Sequence, residues 1–258
     1  MEAQRCIDLN ADLGEGFGVW RLTDDDAMLK IVTSASIACG FHAGDPETMA
    51  RCFAAAKANG VTVGAHVAFP DLSGFGRRVL PMTPPEIERT VAYQLGAAQA
   101  LARYADYRIS FVKAHGALAN LAESDAKIAD AIAGAVARVD PALTLLAIAR
   151  SEQVSAGARA GLRVVEEAFA DRAYTEEGRL APRRDAGAVI EDIAAVVSRV
   201  KRMLEAGALL TQGGALLPTP IRSVCVHGDT LQAVAMARAL RAALEAEGYS
   251  LAPFAPAC

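Results

Sequence analysis

Residues 6–12 read Cys-Ile-Asp-Leu-Asn-Ala-Asp, and the alternation in this short run bears most directly on the fold. Side chains of a strand point to its two faces in turn, so Asp8, Asn10 and Asp12 share one face and the apolar residues between them share the other. Three polar side chains on a buried face are costly unless they meet a ligand, an ion or one another. The run therefore favours a strand that lines a functional interior, the alternative being an edge strand with a solvated face.

Six more brief apolar runs follow, each bounded by Gly, Pro or polar residues, as expected for strands buried on both faces. The seven predicted strands are Cys6–Asn10, Ser36–Cys39, Val61–His66, Ile109–His115, Leu143–Ala149, Arg163–Phe169 and Ser223–His227. Amphipathic helices are predicted between them, with start signals at Asp45-Pro46 and at Thr83-Pro84-Pro85-Glu86. Apolar residues at helical spacing mark two of these helices, at Ile87, Val91 and Leu95 and from Val189 to Leu204.

Seven strand–helix units in 258 residues average about 37 residues each, which is typical of βαβ repetition. Such alternation produces either an open doubly wound sheet or a closed parallel barrel, and periodicity does not separate the two. The position of the polar residues favours the barrel. Because no linker or break in composition divides the chain, we predict an α/β fold with one seven-stranded β/α-barrel domain over residues 1–258. Two longer connections, 69–82 and 170–185, are expected to be functional loops or lids.

Composition restricts the classes of function. The chain is 53% hydrophobic, and 26 Lys and Arg against 30 Asp and Glu give a formal net charge of −4, which argues against nucleic acid and anionic membranes as partners. Charged residues interrupt every apolar run that approaches the length of a membrane span. The first residues lack the apolar core of a signal peptide, and five scattered cysteines without a C-x-x-C pair indicate reduced thiols. We therefore expect a cytoplasmic protein.

All four histidines of the chain, His42, His66, His115 and His227, fall at the end of a predicted strand or a few residues beyond it. Any one of them alone could be a core or loop histidine. In parallel α/β folds the carboxyl ends of strands build the active site, and in a closed barrel these ends converge on one mouth. The four positions together predict a group of imidazoles, which titrate near neutral pH, at that mouth.

Lys113 and His115 lie two residues apart, on the same side of a predicted strand. A lysine in so apolar a run is expected to pair with Asp8 or Asp12, or to bind substrate anions. Aspartates and histidines at a barrel mouth also suit zinc or another divalent ion. The chain has no H-E-x-x-H motif, so the ligands of such an ion would come from different strands, and whether an ion binds stays open. The candidate ligands are Asp8, Asp12, His42 and His66.

Three loop segments carry further polar residues that could contact a substrate. Gly74-Phe75-Gly76-Arg77-Arg78 suits a carboxylate or a phosphate, or is a solvated basic turn. Asp171-Arg172 carries the same two interpretations. The glycine-rich run at residues 14–18, which contains Glu15, either cradles a phosphate or is a flexible loop, because it matches no established nucleotide motif.

Seven stretches of the chain, in order, resemble one known family. They are IDLNADLGEGFG at Ile7–Gly18, IACGFHAGDP at Ile37–Pro46, VGAH at Val63–His66, PDLSGFGRR at Pro70–Arg78, HGAL at His115–Leu118, FADRAY at Phe169–Tyr174 and CVHGD at Cys225–Asp229. The chain is similar in these stretches to the LamB/YcsF family, the A subunits of prokaryotic 5-oxoprolinases. The similarity covers nearly the whole chain.

The resemblance implies a seven-stranded β/α barrel akin to the polysaccharide deacetylases. It also implies ATP-dependent hydrolysis of 5-oxo-L-proline (pyroglutamate) to L-glutamate, with Mg²⁺-bound ATP as co-substrate and with partner subunits B and C. A five-membered lactam is a resonance-stabilised amide, and phosphorylation of its oxygen makes the ring carbon open to attack by water. The site must then stabilise phosphoryl charge, position a water molecule and protonate the departing nitrogen.

This resemblance leads to a hypothesis for the role of each predicted residue. Carboxylates orient or deprotonate the water, imidazoles act as acid or base, and basic side chains meet phosphate and carboxylate. The predicted catalytic residues are Asp8, Asn10, Asp12, His42, His66, Lys113 and His115. The predicted substrate- and phosphate-binding residues are Glu15, Asp45, Arg77, Arg78, Asp171, Arg172, His227 and Asp229.

The sequence departs from the family pattern at five positions, namely Ser36, Val67, Ala68, Ala114 and Ala119. The usual VKPHGALYN, for example, reads VKAHGALAN here, so a proline that stiffens a strand end and a tyrosine hydroxyl are lost. The polar groups of the motifs stay in place, and the family activity is expected. Two alternatives are a metal-dependent deacetylase or amidohydrolase that acts without ATP, and a non-catalytic subunit that binds the lactam for its partners.

Overall fold

Ten strands occur in the part of the chain that the computed structural model describes, residues 5–227 and 232–255. In chain order they are β1 (Cys6–Leu13), β2 (Ser34–Ala38), β3 (Thr62–Val67), β4 (Ile109–Ala114), β5 (Thr144–Ile148), β6 (Val164–Phe169), β7 (Ala208–Leu210), β8 (Leu216–Pro218), β9 (Ser223–Val226) and β10 (Ser250–Leu251). The helices of the same ranges are α1 (Asp25–Met28), α2 (Pro46–Asn59), α3 (Pro84–Tyr104), α4 (Gly116–Ala122), α5 (Ala126–Val139), α6 (Glu152–Arg159), α7 (Ile193–Ala206) and α8 (Ala233–Ala246).

The sheet closes into a barrel because β1 pairs with both β2 and β9. The strand order is β1-β2-β3-β4-β5-β6-β9, and every neighbouring pair is parallel. This arrangement confirms the predicted seven-stranded β/α barrel. Each of the seven predicted strands is present, with ends that differ from the prediction by at most three residues.

Three short strands and one helix start were not predicted. The β7–β8 hairpin is antiparallel, and β10 pairs with the first two residues of β1, but runs of three and two residues are too short to show a period. The prediction placed the start of this helix too early, because the apolar stripe begins at Val189 whereas α7 begins at Ile193. Val189 instead forms an isolated bridge with Arg172, and Asp192 caps the helix through the Ala195 N–H at 2.7 Å.

Local signals position the other long helices as predicted. The Asp45 carboxylate accepts hydrogen bonds from the Glu47 and Thr48 N–H groups at 2.9 and 3.1 Å, and α2 begins directly after it. At α3, Thr83 and Glu86 form a capping box, in which the Thr83 N–H donates to the Glu86 carboxylate at 2.7 Å. The predicted stripe of α3 is buried against the barrel, with Ile87, Val91 and Leu95 at most 1% exposed.

The barrel interior changes from apolar to polar along its axis. At the amino ends of the strands, Phe111, Leu146 and Val165 pack with Phe254 and Ala255, which close this end. Towards the carboxyl ends the inward side chains are polar and yet buried. The polar end is therefore the one where a parallel barrel carries its site.

Within the described ranges, no helix combines the length and the apolar character that crossing a membrane requires. The cytoplasmic location stays a prediction.

Candidate active site

The carboxyl ends of the strands bring the histidines to one side of the barrel. His66 is the residue before the last of β3, while His115 and His227 come directly after β4 and β9. His42 follows β2 by four residues. His42, His66 and His115 are buried against one another, and His227 stands apart from them across the same mouth, where it lines a pocket together with His66 and His115.

Lys113 lies at the centre of the interior, between two carboxylates. Its Nζ is 2.9 Å from Asp12 Oδ1 and 3.0 Å from Glu167 Oε2, and it also donates to the Cys225 sulfur at 3.2 Å. Lys113 is 3% exposed. The prediction that this lysine pairs with a first-strand aspartate is confirmed, and the partner is Asp12.

Glu167 was missed by the sequence analysis. It is completely buried on β6, two residues before Phe169, at an inward position. The signal that singled out Lys113, a charged residue inside an apolar strand, was present here too. The period of two allows only one of Glu166 and Glu167 to face inward, and that side chain is Glu167.

The charge states of this group follow from burial and pairing. Burial alone raises the pKa of the Asp12 carboxyl, but the nearby His66 and Lys113 hold that pKa well below its usual value. Burial likewise works against the Lys113 ammonium, and Asp12 and the other groups around it reverse the effect and raise its pKa well above the usual value. Burial raises the pKa of Glu167, which Lys113 counteracts only in part. At neutral pH, Asp12 and Lys113 are therefore a buried ion pair.

Asp8 and Asn10 lie deeper in the barrel, below this ion pair. The Thr33 and Ser34 hydroxyls donate to Asp8 Oδ1 at 2.6 and 2.7 Å, and the Ser223 hydroxyl donates to Oδ2. Burial raises the pKa of Asp8 to about 6. Neither residue lines the pocket described below. Asn10 still contacts the charged group, because Lys113 Nζ donates to Asn10 Oδ1 at 3.5 Å and Asn10 Nδ2 donates to Glu167 Oε2 at 3.3 Å.

Three imidazoles and a carboxylate pack together beside Asp12. His66 Nε2 is 3.0 Å from His115 Nδ1 and 3.4 Å from Asp12 Oδ2. The His42 ring stacks on the His115 ring with a centroid separation of 3.9 Å, and Glu15 Oε1 lies 3.3 Å from His42 Nε2. Burial lowers the pKa of His42 and of His115 well below the usual value, and the neighbouring imidazoles add to the effect, so both rings are neutral at pH 7.

His227 forms a separate pair with Asp171. Its Nδ1 is 2.8 Å from both carboxylate oxygens, and its ring stacks on Phe169. Burial alone raises the pKa of Asp171, but His227 outweighs this effect and keeps that pKa below the usual value. Because Nδ1 donates to Asp171, the neutral ring carries its lone pair on Nε2. Asp229, which was predicted with His227 to bind substrate or phosphate, lies outside the described residues.

A pocket of about 310 Å³ opens among these groups. Asp12 and Lys113 lie on its floor, and His66, His115 and His227 are on its walls. Among the described lining residues Asp12 is the single carboxylate, whereas four arginines, Arg77, Arg172, Arg183 and Arg184, join Lys113. The pocket is therefore cationic. Two positions that depart from the family pattern, Ala114 and Ala119, also line it.

The remaining predicted residues lie around this pocket with other partners. Arg172 lines it while its guanidinium donates to the Ala181 and Ala188 carbonyls at 2.6 and 3.3 Å, which ties the 170–190 loop together. Arg78 pairs with Asp71 within its own loop, its Nε 3.0 Å from Asp71 Oδ1. Asp45 is the cap of α2 and also accepts from the Gly18 N–H at 2.8 Å. Arg78 and Asp45 are not among the pocket-lining residues.

Comparisons with known proteins agree with this architecture. The A subunit of 5-oxoprolinase from Azorhizobium caulinodans is 57% identical over 250 residues, which cover 97% of this chain and 99% of that protein. The solved lactam utilization protein from Thermus thermophilus superposes with a TM-score of 0.91 at 40% identity, covering 96% of this chain and 100% of the other. The catalytic domain of a peptidoglycan N-acetylglucosamine deacetylase from Eubacterium rectale, at 12% identity over 98% and 90% of the two chains, has a TM-score of 0.53 and shows the shared barrel fold alone.

The model of the LamB/YcsF family matches residues 7–258, which include the barrel, the histidine cluster and the cationic pocket. Together with the high identity to the relative from Azorhizobium caulinodans over nearly the full length of both chains, this match shows the family. This chain belongs to the LamB/YcsF family.

Proposed function

We propose that this chain is the lactam-opening subunit of an ATP-dependent 5-oxoprolinase, which converts 5-oxo-L-proline to L-glutamate together with subunits B and C. The names of the relatives support a role in lactam metabolism and in a multi-subunit enzyme. The observation that carries the proposal is the small cationic pocket above the buried Asp12–Lys113 pair.

The pocket suits the substrate in size and in charge. Its volume of about 310 Å³ is at the lower end of the range for small-molecule sites, as expected for a single five-membered ring with one carboxylate. Arg77, Arg183 and Arg184 on its wall bind that carboxylate. The lactam ring then lies towards Asp12 and the imidazoles.

The reaction needs ATP because the lactam is a stabilised amide. The γ-phosphoryl group of Mg²⁺-bound ATP moves to the amide oxygen, which makes the ring carbon electrophilic. Water then adds to this carbon, the C–N bond of the ring breaks, and the nitrogen takes up a proton. Release of phosphate, in which a second water molecule is consumed, leaves glutamate.

His227 is the proposed general base for the attacking water. Asp171 accepts a hydrogen bond from the Nδ1–H group and thereby keeps the Nε2 lone pair towards the pocket. This lone pair takes a proton from the water, and the ring returns the proton to the departing nitrogen. Asp12 stays ionised beside Lys113 and orients the water or the lactam N–H. Lys113 positions Asp12.

Reconstitution with subunits B and C tests the proposal, with ATP, 5-oxoproline and glutamate followed in the same samples. We expect glutamate formation to fall roughly 100-fold or more in Asp12→Asn, Lys113→Met and His227→Gln. Asp106→Asn is the matched control, because that carboxylate side chain is 92% exposed and remote from the pocket.

Near wild-type turnover in all three variants would reject the assignment. If those variants also lose no affinity for 5-oxoproline in titration calorimetry, the pocket is not the lactam site. Deamidating or deacetylating activity of the chain alone, without ATP, would instead favour the amidohydrolase alternative.

A further inference from the structure

Two imidazole nitrogens of the histidine cluster face each other without an obvious proton between them. His66 Nε2 and His115 Nδ1 are 3.0 Å apart. The other nitrogen of each ring meets a backbone carbonyl oxygen, with His66 Nδ1 3.3 Å from Lys113 O and His115 Nε2 2.8 Å from Phe75 O.

These carbonyl contacts determine which nitrogen of each ring carries hydrogen when the ring has a single N–H. A carbonyl oxygen only accepts, so His66 Nδ1 and His115 Nε2 are the nitrogens that carry hydrogen. The two nitrogens that face each other then both carry lone pairs. Such an arrangement is repulsive unless a cation lies between them. Imidazoles whose far N–H is held by a carbonyl oxygen are also the usual form of histidine ligands to metals.

Two more donor groups converge on the same point. Glu15 Oε1 is 3.7 Å from His115 Nδ1 and 3.3 Å from His42 Nε2, and one ligand atom from each of the four residues lies within 4.8 Å of every other. Ligand atoms bound tetrahedrally to zinc at about 2.0–2.1 Å are separated by roughly 3.3 Å. Three of the six separations, at 3.0, 3.3 and 3.7 Å, bracket this value, and all six are at most 4.8 Å. His42 differs from the other two rings, because its Nδ1 is buried without a hydrogen-bond partner.

We propose that Glu15, His42, His66 and His115 bind one divalent transition-metal ion of the zinc class. Three imidazoles and one carboxylate form a borderline ligand set, which favours Zn²⁺, Co²⁺ or Ni²⁺ over Mg²⁺ and Ca²⁺. A proton shared between His66 Nε2 and His115 Nδ1 would interact with only these two of the four groups, whereas a metal ion would bind all four. The inference goes beyond the proposed function, because it is based on the cluster alone and requires neither lactam nor ATP.

The cluster is buried between two cavities. His66 and His115 line the cationic pocket, whereas Glu15 and His42 line a second cavity of about 710 Å³ together with Phe17, Trp20 and other residues. An ion can therefore enter from the second cavity and still contact a ligand in the pocket. When bound, it would supply a Lewis acid at the pocket wall.

Metal binding by the full chain, without partners or substrate, tests the inference. The protein is dialysed against a chelator and then titrated with Zn²⁺ in a calorimeter and with Co²⁺ in a spectrophotometer. We expect one ion per chain, visible absorption from low-coordinate Co²⁺ and a higher thermal unfolding temperature with the ion. In His66→Gln and His115→Gln the affinity should fall roughly 100-fold or more.

His227→Gln is the matched control, because it removes an imidazole from the same pocket but outside the cluster, and it should bind one ion with wild-type affinity. Circular dichroism verifies folding. If a histidine variant fails to fold, Glu15→Gln, which keeps the shape and removes the charge, should show an altered Co²⁺ spectrum.

Substoichiometric uptake by the folded wild-type chain, or unchanged affinity in the folded cluster variants, would overturn the inference. This result is distinguishable from failure of the proposed function. A chain that binds no metal but still supports glutamate formation rejects only the metal site, and a metal-binding chain that supports none rejects only the lactam-opening role.

Discussion

Buried charges are the main feature of this molecule at the scale of single residues. Lys113 is stable inside the barrel because Asp12 and Glu167 both lie within 3.0 Å of its ammonium, and removing Lys113 would leave two buried carboxylates without their counter-charge. Such an arrangement contributes little net stability compared with apolar residues of the same size. The arrangement keeps the Asp12 carboxylate ionised at the floor of the pocket, so its role is to set the charge of the site rather than to stabilise the fold.

Asp8 provides a pH-dependent prediction at this scale. Its pKa is raised by burial from 3.8 to about 6, so between about pH 4 and pH 6 the folded state binds a proton that the unfolded state has released. This group therefore stabilises the folded protein less as the pH rises through that window. The resulting loss of unfolding free energy is complete above about pH 6 and amounts to roughly 3 kcal/mol.

Replacing Asp8 by Asn removes this titration. We expect the difference in unfolding free energy between Asp8→Asn and the wild type to be roughly 3 kcal/mol more favourable to the variant at pH 7 than at pH 4. Urea denaturation at both pH values measures this difference. Asp106→Asn replaces an exposed carboxylate and should show no such change. If the unfolding free energies of the wild type and of Asp8→Asn depend on pH in the same way, the pH dependence does not come from the raised pKa of Asp8.

At the scale of secondary-structure elements, the loop between β3 and α3 positions the histidine cluster. The Phe75 carbonyl accepts from His115, and the Gly76 carbonyl accepts from the Ala117 N–H at the start of α4. Gly76 has a φ of +64°, and a Cβ atom there would lie 2.7 Å from His42 Cβ and 2.9 Å from His115 Cδ2. This loop was predicted from the sequence to carry function, and a glycine in it allows the backbone to approach two imidazoles.

Gly76→Ala therefore combines backbone strain with a steric clash. Gly60→Ala is a matched control, because Gly60 has a similar φ of +66° at the end of α2 and a Cβ there would meet nothing within 4 Å. We expect Gly76→Ala to lower the unfolding free energy by about 1–3 kcal/mol more than Gly60→Ala does. It should also reduce turnover of the reconstituted enzyme. Equal destabilisation by the two substitutions would show that the imidazoles move without cost.

At the scale of the whole molecule, stability and function occupy opposite ends of the barrel. Phe254 seals the amino ends of the strands, where its ring packs 5.0 Å from the Phe111 ring, centroid to centroid, and its carbonyl accepts from Arg163 at 2.6 Å. The pocket opens at the carboxyl ends. In barrels of this kind, the end away from the site contributes mainly to stability.

Phe254→Ala should therefore destabilise the fold without altering the site. We expect a loss of about 3–5 kcal/mol in unfolding free energy, measured by chemical denaturation. Turnover of the reconstituted enzyme at a temperature well below unfolding should stay the same. Tyr104→Ala, which truncates an aromatic side chain that is 88% exposed, should cost far less. A fall in turnover with the fold intact would show that the two ends are coupled.

Much of this architecture could be predicted because its signals are local. The period of two along residues 6–12 assigns Asp8, Asn10 and Asp12 to one face whatever the fold, and brief apolar runs between amphipathic segments predict seven buried parallel strands. The four histidines follow strands whose carboxyl ends must share one side of a parallel sheet. The barrel, the end that carries the candidate site and the involvement of Asp12, His66, Lys113 and His115 in one group all derive from these local patterns.

Only the closed barrel decided which of these side chains meet. Lys113 contacts Asp12 and Glu167 from strands that are far apart in the chain, His227 pairs with Asp171 across 56 residues, and Glu15 lies beside His115. Asp8 and Asp12 have the same pattern in sequence, yet they are two inward positions apart along β1, with Asn10 between them, and only Asp12 lines the pocket. The physical reason is that periodicity specifies a face, whereas depth and partner depend on the register between strands, which is established only when β1 closes against β9.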